Sequence, residues 1–264
     1  MPFISDSWDL RIRRATDLAA DIGPSATLLA FYARVLARQR AIADAVTGRP
    51  LTGALARDVP LLREAAIALV RDVAEHGPEA LAVEAHSLAQ SDRSALDSIL
   101  LSYWRDPSDR RFFPKAILQP YAQRLAETGI RPVDRTSVAM DNRCPSCGGA
   151  AQLSILEAGA GVTAIDGGSR RLLCATCLNR WTFARIRCPA CGGEDERTLV
   201  HFQSPEFDHV RVDACESCRH YLKSVDLGRL GLAVPLVDEV ASGALDLWAR
   251  EHGYQKIELN LVGL

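Results

Sequence analysis

Cysteine is missing from the first 143 residues of this chain and from everything after Cys218. Long apolar runs are missing too, since no stretch approaches the about 18 consecutive apolar residues that suggest a membrane span. The first residues lack the basic start, apolar run and small-residue cleavage site of a secretory signal. These absences predict a cytoplasmic protein with no membrane span, a compartment in which paired cysteines are more often metal ligands than disulfides.

A surplus of positive charge is also lacking, because 31 Lys and Arg residues stand against 33 Asp and Glu residues. Proteins that bind nucleic acid draw on excess Lys and Arg for phosphate contacts. Nucleic acid is therefore not the predicted partner, although a local basic patch is compatible with a balanced total. The chain has no Ser-His-Asp order, no phosphate-binding glycine loop and no convincing carboxylate pair.

What the chain does have is eight cysteines, and every one belongs to a Cys-x-x-Cys pair. Four pairs supply two sites of four thiolates, the number that a tetrahedral metal requires. The spacing therefore predicts two mononuclear metal sites whose ligands are Cys144, Cys147, Cys174, Cys177, Cys188, Cys191, Cys215 and Cys218. Sequential pairing of the motifs is favoured over interleaved pairing, and both zinc and iron accept four thiolates.

The two predicted sites belong to a tandem repeat of one small module. Each repeat begins with Cys-Pro-x-Cys-Gly. The second cysteine of that motif is followed, after 26 residues in the first repeat and 23 in the second, by the next cysteine pair. Proline suits the turn, and the glycine accepts the positive φ that follows the second ligand. Since four thiolates complete each site, we expect His201, His209 and His220 to be surface or hydrogen-bonding residues. Closed sites also favour a protein that is not an enzyme.

Helical periodicity dominates the first half of the chain. Apolar residues recur three or four positions apart, as in Leu28, Tyr32 and Val35, and six segments are separated by glycine or proline stops or, in one case, by the capping residues Ser91 and Asp92. We expect the third segment to begin after Pro60. The predicted fold is α+β and multi-domain, with an all-α domain over residues 1–136, a first metal-knuckle module over 137–186, and a second module with a C-terminal helix over 187–264.

Short strands are predicted between the cysteine pairs. Residues 180–186 alternate with period two, as a half-buried strand should, and 198–202, 210–212 and 221–225 repeat the style. From about Val234 the chain returns to one helix that stops near Gly253. The tail after Gly253 is predicted to add an extended segment.

Four segments together resemble the formate dehydrogenase accessory protein family, FdhE. They are RCPSCGG at 143–149, CATCLNRWTFARIRCPACG at 174–192, VDACESCRHYLKSVD at 212–226 and LDLWAREHGY at 245–254. The resemblance implies a cytoplasmic factor that is needed for active respiratory formate dehydrogenase and binds its catalytic subunit. It also implies rubredoxin-like knuckles, so that two mononuclear ions are expected, with iron favoured over zinc.

Four hypotheses of function follow. The first is a non-enzymatic maturation factor that acts by binding, and the second is a redox protein that uses Fe(II)/Fe(III) at the knuckles. A zinc-ribbon protein that binds nucleic acid is the third, and the net charge of −2 argues against it. Thiol–disulfide exchange is the fourth, and the doubled four-cysteine arrangement argues against it. Self-association is left open.

Overall fold

The chain folds into two compact units in a computed structural model that describes residues 7–21, 23–108, 110–135, 140–157 and 169–264. The first unit comprises Met1–Ser137 with Thr176–Leu178 and Gly263, and the second comprises Val138–Ala175, Asn179–Val262 and Leu264. Helices and strands are segregated along the chain, so the predicted α+β fold class is confirmed. The division into domains 1–136, 137–186 and 187–264 stays a prediction.

The described residues of the first unit form six helices, as the periodicity predicts. They are α1 (Trp8–Ala20), α2 (Ala26–Val46), α3 (Leu55–His76), α4 (Glu79–Gln90), α5 (Arg93–Arg105) and α6 (Phe112–Glu127). Helix α6 is buried over most of its length, and it packs against α2, α3 and α5. Large side chains such as Tyr32, Trp104 and Tyr121 fill the core, which explains why the apolar stripes of these helices are so regular.

Helix α3 begins at Leu55, earlier than the expected start after Pro60. Two carboxylates explain the difference. Asp134 accepts a hydrogen bond of 2.8 Å from the backbone N–H of Leu55, and Asp58 accepts from the Tyr121 hydroxyl at 2.8 Å and from the N–H of Gly53 at 3.1 Å. These side chains satisfy backbone N–H groups that the start of a helix leaves unpaired. The helix can therefore begin at Leu55, before Pro60.

Within the part of the second unit that the structure describes there is one sheet, and each cysteine module contributes three strands to it. The strands are β1 (Ala151–Leu156), β2 (Arg170–Cys174), β3 (Arg180–Thr182), β4 (Leu199–Gln203), β5 (Val210–Cys215), β6 (His220–Asp226) and the short β7 (Gln255–Lys256). Their order is β3-β2-β1-β6-β5-β4, and β7 pairs with β6. Pairs within each module are antiparallel, whereas β1 and β6 run parallel and join the modules.

Strand β3 is shorter than the alternation over 180–186 predicts, because it ends at Thr182. The next backbone N–H, that of Phe183, still donates to the carbonyl of Arg170 at 3.0 Å. Beyond it the guanidinium of Arg170 takes over, since its Nη1 donates to the carbonyls of Arg185 at 3.4 Å and Arg187 at 3.2 Å. A side chain thus replaces the partner strand and bends the segment out of the ladder.

The expected C-terminal helix is divided into α7 (Pro235–Ala241) and α8 (Gly243–Glu251). Lys223 explains the break, because its buried ammonium donates to the backbone carbonyl of Glu239 and, at 3.3 Å, to that of Ser242. A cation therefore occupies carbonyls that would serve a continuous helix. Both helices pack on the sheet, α7 on β1 and β6 and α8 on β5. Across the described ranges, no helix has the length and apolarity needed to cross a bilayer.

Candidate metal centres

The eight cysteines assemble into two quartets. One contains Cys144, Cys147, Cys174 and Cys177, and the other contains Cys188, Cys191, Cys215 and Cys218, with all ligand atoms of a quartet within 4.8 Å of one another. These are the sequential pairings. Sulfur–sulfur distances between pairs are 3.5 Å for Cys147–Cys174, 3.7 Å for Cys188–Cys218 and 3.9 Å for Cys191–Cys215. A tetrahedron with metal–sulfur bonds of about 2.3 Å has edges of about 3.8 Å, so the donor set fits a single ion in each quartet.

The Cys-Pro-x-Cys-Gly turns have the same backbone hydrogen bonds in both modules. The N–H of Gly148 donates to the carbonyl of Cys144 at 2.8 Å, and that of Gly192 donates to Cys188 at 2.9 Å. Gly148 has φ +72° and Gly192 has φ +75°. The prediction that these glycines accept positive φ is therefore confirmed, and the turn folds the two sulfurs of each pair toward one point.

The other two pairs also have a left-handed residue directly after the second cysteine, but that residue is not glycine. Leu178, directly after Cys177, has φ 56°, and Arg219, directly after Cys218, has φ 59°. These values lie in the left-handed region, which costs an L-residue with a side chain about 1–2 kcal/mol. Sequence reasoning missed both positions because neither residue signals a left-handed turn. The repeat of the cysteine pair itself was the available signal.

Burial distinguishes the two quartets. All four cysteines of the first quartet are buried, whereas Cys191 in the second is exposed and Cys218 is partly exposed. A chelator or redox partner in solution can therefore reach sulfur in the second quartet more easily than in the first.

Hydrogen bonds and burial have opposite effects on ionisation of the thiols. Burial raises the pKa of Cys188 and of Cys218. Burial also opposes ionisation of Cys215, but the backbone N–H groups of Cys218 and Ser217 outweigh it and lower the pKa of Cys215. The backbone N–H of Ala190 lies 3.4 Å from the sulfur of Cys188. A bound metal cation would favour the ionised form of all four thiols, because a thiol that coordinates a metal loses its proton.

The three neighbouring histidines lie outside both quartets. His209 Nε2 is 2.9 Å from a carboxylate oxygen of Asp238, and His220 Nδ1 is 2.8 Å from the backbone carbonyl of Cys218. His201 is exposed. Each quartet therefore has sulfur as its donor set, and His220 supports the second quartet through the backbone.

A buried ionic network lies on the helix-covered face of the sheet. Lys223 and Lys256 share the carboxylates of Glu239 and Asp246, and none of the four side chains is exposed. Burial lowers the pKa of Lys223. Burial also disfavours the charge on Lys256, but the two carboxylates outweigh it and raise the pKa of that residue. Sequence reasoning missed this network, although Lys223 occupies an inward position between Tyr221 and Val225, which is the signal that could have found it.

Three comparisons with known proteins place the chain. The sequence model of the domain described as FdhE, C-terminal domain, matches residues 186–262. The chain is 33% identical over 198 residues to the protein FdhE homolog of Aquifex aeolicus, an alignment that covers 74% of this chain and 68% of that protein. It is 26% identical over 202 residues to the FdhE homolog of Shewanella oneidensis, covering 76% of this chain and 62% of that one.

The fold comparison spans nearly the whole chain. The crystal structure of the FdhE protein from Pseudomonas aeruginosa aligns with a TM-score of 0.69 and 25% sequence identity. The alignment covers 97% of this chain and 95% of that one, so the helical unit and the cysteine-bearing sheet both have counterparts there. With an Aquifex relative that is one-third identical over two-thirds of its length, this chain belongs to the FdhE family.

Proposed function

We propose that this chain is a cytoplasmic accessory factor in the maturation of respiratory formate dehydrogenase and that it acts by binding the catalytic subunit of that enzyme. Membership of the FdhE family carries this proposal. The resemblance to formate dehydrogenase accessory proteins implies a helical region together with four cysteine pairs. This chain has both a helical unit and two cysteine quartets.

The quartets support a role in binding rather than in turnover. Four sulfurs fill the coordination shell of a tetrahedral ion, and catalytic sites keep one position open for water or substrate. Neither quartet has a nearby histidine in its donor set that could be exchanged for substrate. We therefore assign the chain no catalytic residue and treat the metal sites as parts of the framework that presents a client-binding surface.

Two mononuclear ions are proposed to be held by the cysteines of the two quartets, one ion in each, with iron favoured over zinc. A bound ion would cross-link the two Cys-x-x-Cys turns of a module, and iron would also supply a one-electron couple. The residues of the chain position the sulfurs and stabilise their charge. The repeated turns at Gly148 and Gly192 hold the sulfurs in place, and backbone N–H groups such as that of Ala190 stabilise thiolate charge.

A second candidate function is a rubredoxin-like electron-transfer or redox-sensing protein. The exposure of Cys191 favours it, because electron exchange with a partner requires the ion to lie near the surface. This alternative predicts a coloured protein that can be reduced and reoxidised reversibly. An anaerobic preparation that is colourless and contains zinc alone would rule it out.

The maturation role can be tested in a strain that lacks the gene. We expect formate dehydrogenase activity to fall and to return when the wild-type gene is supplied on a plasmid. The tagged chain should copurify with the catalytic subunit, whereas an unrelated tagged protein expressed at the same level should not. Full activity in the deletion strain would overturn the maturation role, and restored activity without copurification would overturn binding as its mechanism.

A further inference from the structure

A cleft lined by four arginines lies beside the second quartet, within the second compact unit. Its lining includes Arg170, Arg185, Arg187 and Arg211 together with Cys188 and Cys215. The cavity measures ≈ 90 Å³, the volume of a few water molecules at about 30 Å³ each. It is well below the roughly 300–1,000 Å³ of pockets for drug-sized ligands, so its size suits a small ion.

Polar side chains on the sheet face opposite α7 and α8 hold the lining residues Arg170 and Asp213 in place. Ser154 and Ser224 are paired in register across β1 and β6, and both are fully buried. The hydroxyl of Ser224 donates to Asp213 Oδ2 at 2.5 Å. Arg211 is paired in register with Ser224, and its Nε donates to Asp213 Oδ1 at 2.8 Å. Lining residues therefore come from strands of both modules, Arg170 from β2 and Arg211 and Asp213 from β5.

Arg170 lines the cleft and is itself buried. It is 6% exposed, its Nε donates to Ser154 Oγ at 3.4 Å, and its Nη2 lies 3.6 Å from Asp213 Oδ2. Its Nη1 holds the carbonyls of Arg185 and Arg187, which fixes that segment over the sheet. Since its donors are taken by the protein, Arg170 is a positioning residue and not a ligand-binding one.

The remaining arginines differ in how far their charge is already satisfied. Arg187 is paired with Asp141 at 3.2 Å and with Glu194 at 3.6 Å. Arg185 is exposed and, within the described residues, its guanidinium has no hydrogen bond or ion pair. Arg211 uses only Nε in the described contacts, so both of its terminal nitrogens stay available. Asp213 is the one carboxylate in the described lining, so guanidinium groups outnumber carboxylates there by four to one.

From this geometry we infer that the cleft is a binding site for one small oxyanion, of the carboxylate, phosphate or sulfate class, held between the guanidinium groups of Arg185 and Arg211. Guanidinium groups present donors in a planar fork that matches two oxygens of such an anion. The cavity has room for the anionic group alone, which is why free small anions are the probes. The bound anion would lie next to Cys188 and Cys215, so it would share its surroundings with the second quartet.

The competing explanation is that the arginines only balance the negative charge of a metal bound by four thiolates. Arg187 and Arg170 are well placed for that role, since both belong to the lining shared with Cys188. The two explanations differ in what Arg185 does. If Arg185 binds an oxyanion, replacing it weakens anion binding and leaves the metal in place. If Arg185 balances the charge of the thiolates, replacing it weakens metal binding instead.

Calorimetric titration of the metal-loaded full-length chain tests the inference. The probes are phosphate, sulfate and acetate, each at an ionic strength held constant with chloride. We expect saturable one-to-one binding of at least one probe. Arg185→Gln and Arg211→Gln should each weaken that binding by roughly tenfold, the value of one charged hydrogen-bonding group. Arg229→Gln, which removes an exposed arginine outside the cleft lining, should bind as the wild type does.

Metal content is measured on the same samples and should be unchanged in the Arg185→Gln variant. Absence of saturable binding for all three probes would overturn the oxyanion site. Binding that is equal in Arg185→Gln, Arg211→Gln and the wild type would overturn it as well. Loss of metal from Arg185→Gln without any binding in the wild type would show that charge compensation is the role of the cleft. None of these outcomes depends on formate dehydrogenase, so they are independent of the proposed maturation function.

Discussion

Lys256 Nζ lies 2.9 Å from Asp246 Oδ1, and neither side chain has any exposed surface. The same ammonium pairs with Glu239, and Lys223 pairs with both carboxylates. The Tyr221 hydroxyl adds a hydrogen bond of 2.9 Å to Asp246. Two cations and two anions thus neutralise one another between the sheet and its helices, and losing a single member leaves an unpaired buried charge.

Removing one cation from this network should destabilise the second unit strongly. We expect Lys256→Met to lower the free energy of unfolding by about 3–5 kcal/mol, because a buried carboxylate loses its partner. Denaturant unfolding of the metal-loaded chain measures the change.

A second substitution shows whether charge is the cause. Adding Glu239→Gln to Lys256→Met returns the network to one cation and one anion, so the double variant should recover part of the loss. Arg197→Met, which breaks an exposed pair with Asp195, is the control and should have little effect. A double variant no more stable than Lys256→Met would contradict the charge argument.

Local signals explain what the sequence could predict. The stripe of Leu28, Tyr32 and Val35 repeats with the helical period because one side of α2 is buried, and Tyr32 and Val35 are 1% exposed. The cysteine spacing is equally local, since Cys-x-x-Cys needs only one turn of backbone. Both features were available without knowing what the segments pack against.

Contacts between residues far apart in the sequence explain the features that the sequence could not predict. The parallel pairing of β1 with β6 joins residues 70 apart in sequence, such as Ser154 and Ser224, and no periodicity records it. The alternation over 180–186 has strand character throughout, yet Arg170 captures its later carbonyls and ends β3 at Thr182. Lys223 similarly divides one predicted helix into two. In the last two cases, a side chain from another strand determines where a strand or helix ends.

Metal stoichiometry tests the proposed ligand assignment. We expect two ions per wild-type chain, one for each quartet, and one ion after either Cys147→Ser or Cys191→Ser, because each removes a thiolate from a different quartet. Native mass spectrometry together with elemental analysis measures the content. Ser146→Ala, within the first turn but outside the donor set, should retain both ions, and loss of both ions from Cys191→Ser would contradict two independent sites.

Metal release should proceed in two phases. Cys191 is exposed and Cys218 is partly exposed, while the first quartet is buried. We therefore expect a chelator in excess to remove one ion several times faster than the other. Following release by absorbance in Cys147→Ser and Cys191→Ser assigns the phases, since the fast phase should persist in the first variant and be lost from the second. Release at one common rate in both variants would contradict the difference in access.

The left-handed turn after Cys191 should make Gly192 sensitive to any side chain. A Cβ at Gly192 would meet only the flexible end of Arg187, at 3.7 Å, so space is not the obstacle. Its φ of +75° is the obstacle, and Gly192→Ala should destabilise the loaded chain by about 1–2 kcal/mol. Gly231→Ala is the control, because Gly231 has no positive φ and its Cβ would lie 3.8 Å from the nearest atom. Equal losses in the two variants would indicate that φ is not the cause.

Asp72 should make the stability of the helical unit depend on acid pH. It is 7% exposed and accepts hydrogen bonds from Arg34 at 2.8 Å and Arg38 at 2.9 Å. Burial alone would raise the pKa of Asp72, but the two arginines outweigh burial and hold the pKa below its usual value. A depressed pKa means that the stabilisation is complete above the unfolded value of about 3.9 and is lost as the pH falls through the folded value.

Asp72→Asn should therefore cost about 1–2 kcal/mol at neutral pH, a modest value because both arginines are nearly half exposed. The difference from the wild type should be constant down to about pH 5 and should shrink below about pH 4. Helical circular dichroism during denaturant unfolding measures it, and comparing two proteins at each pH cancels any common effect of metal release. Asp44→Asn, at an exposed position, is the control. A difference that grows as the pH falls below about 4 would refute the ion-pair assignment for Asp72.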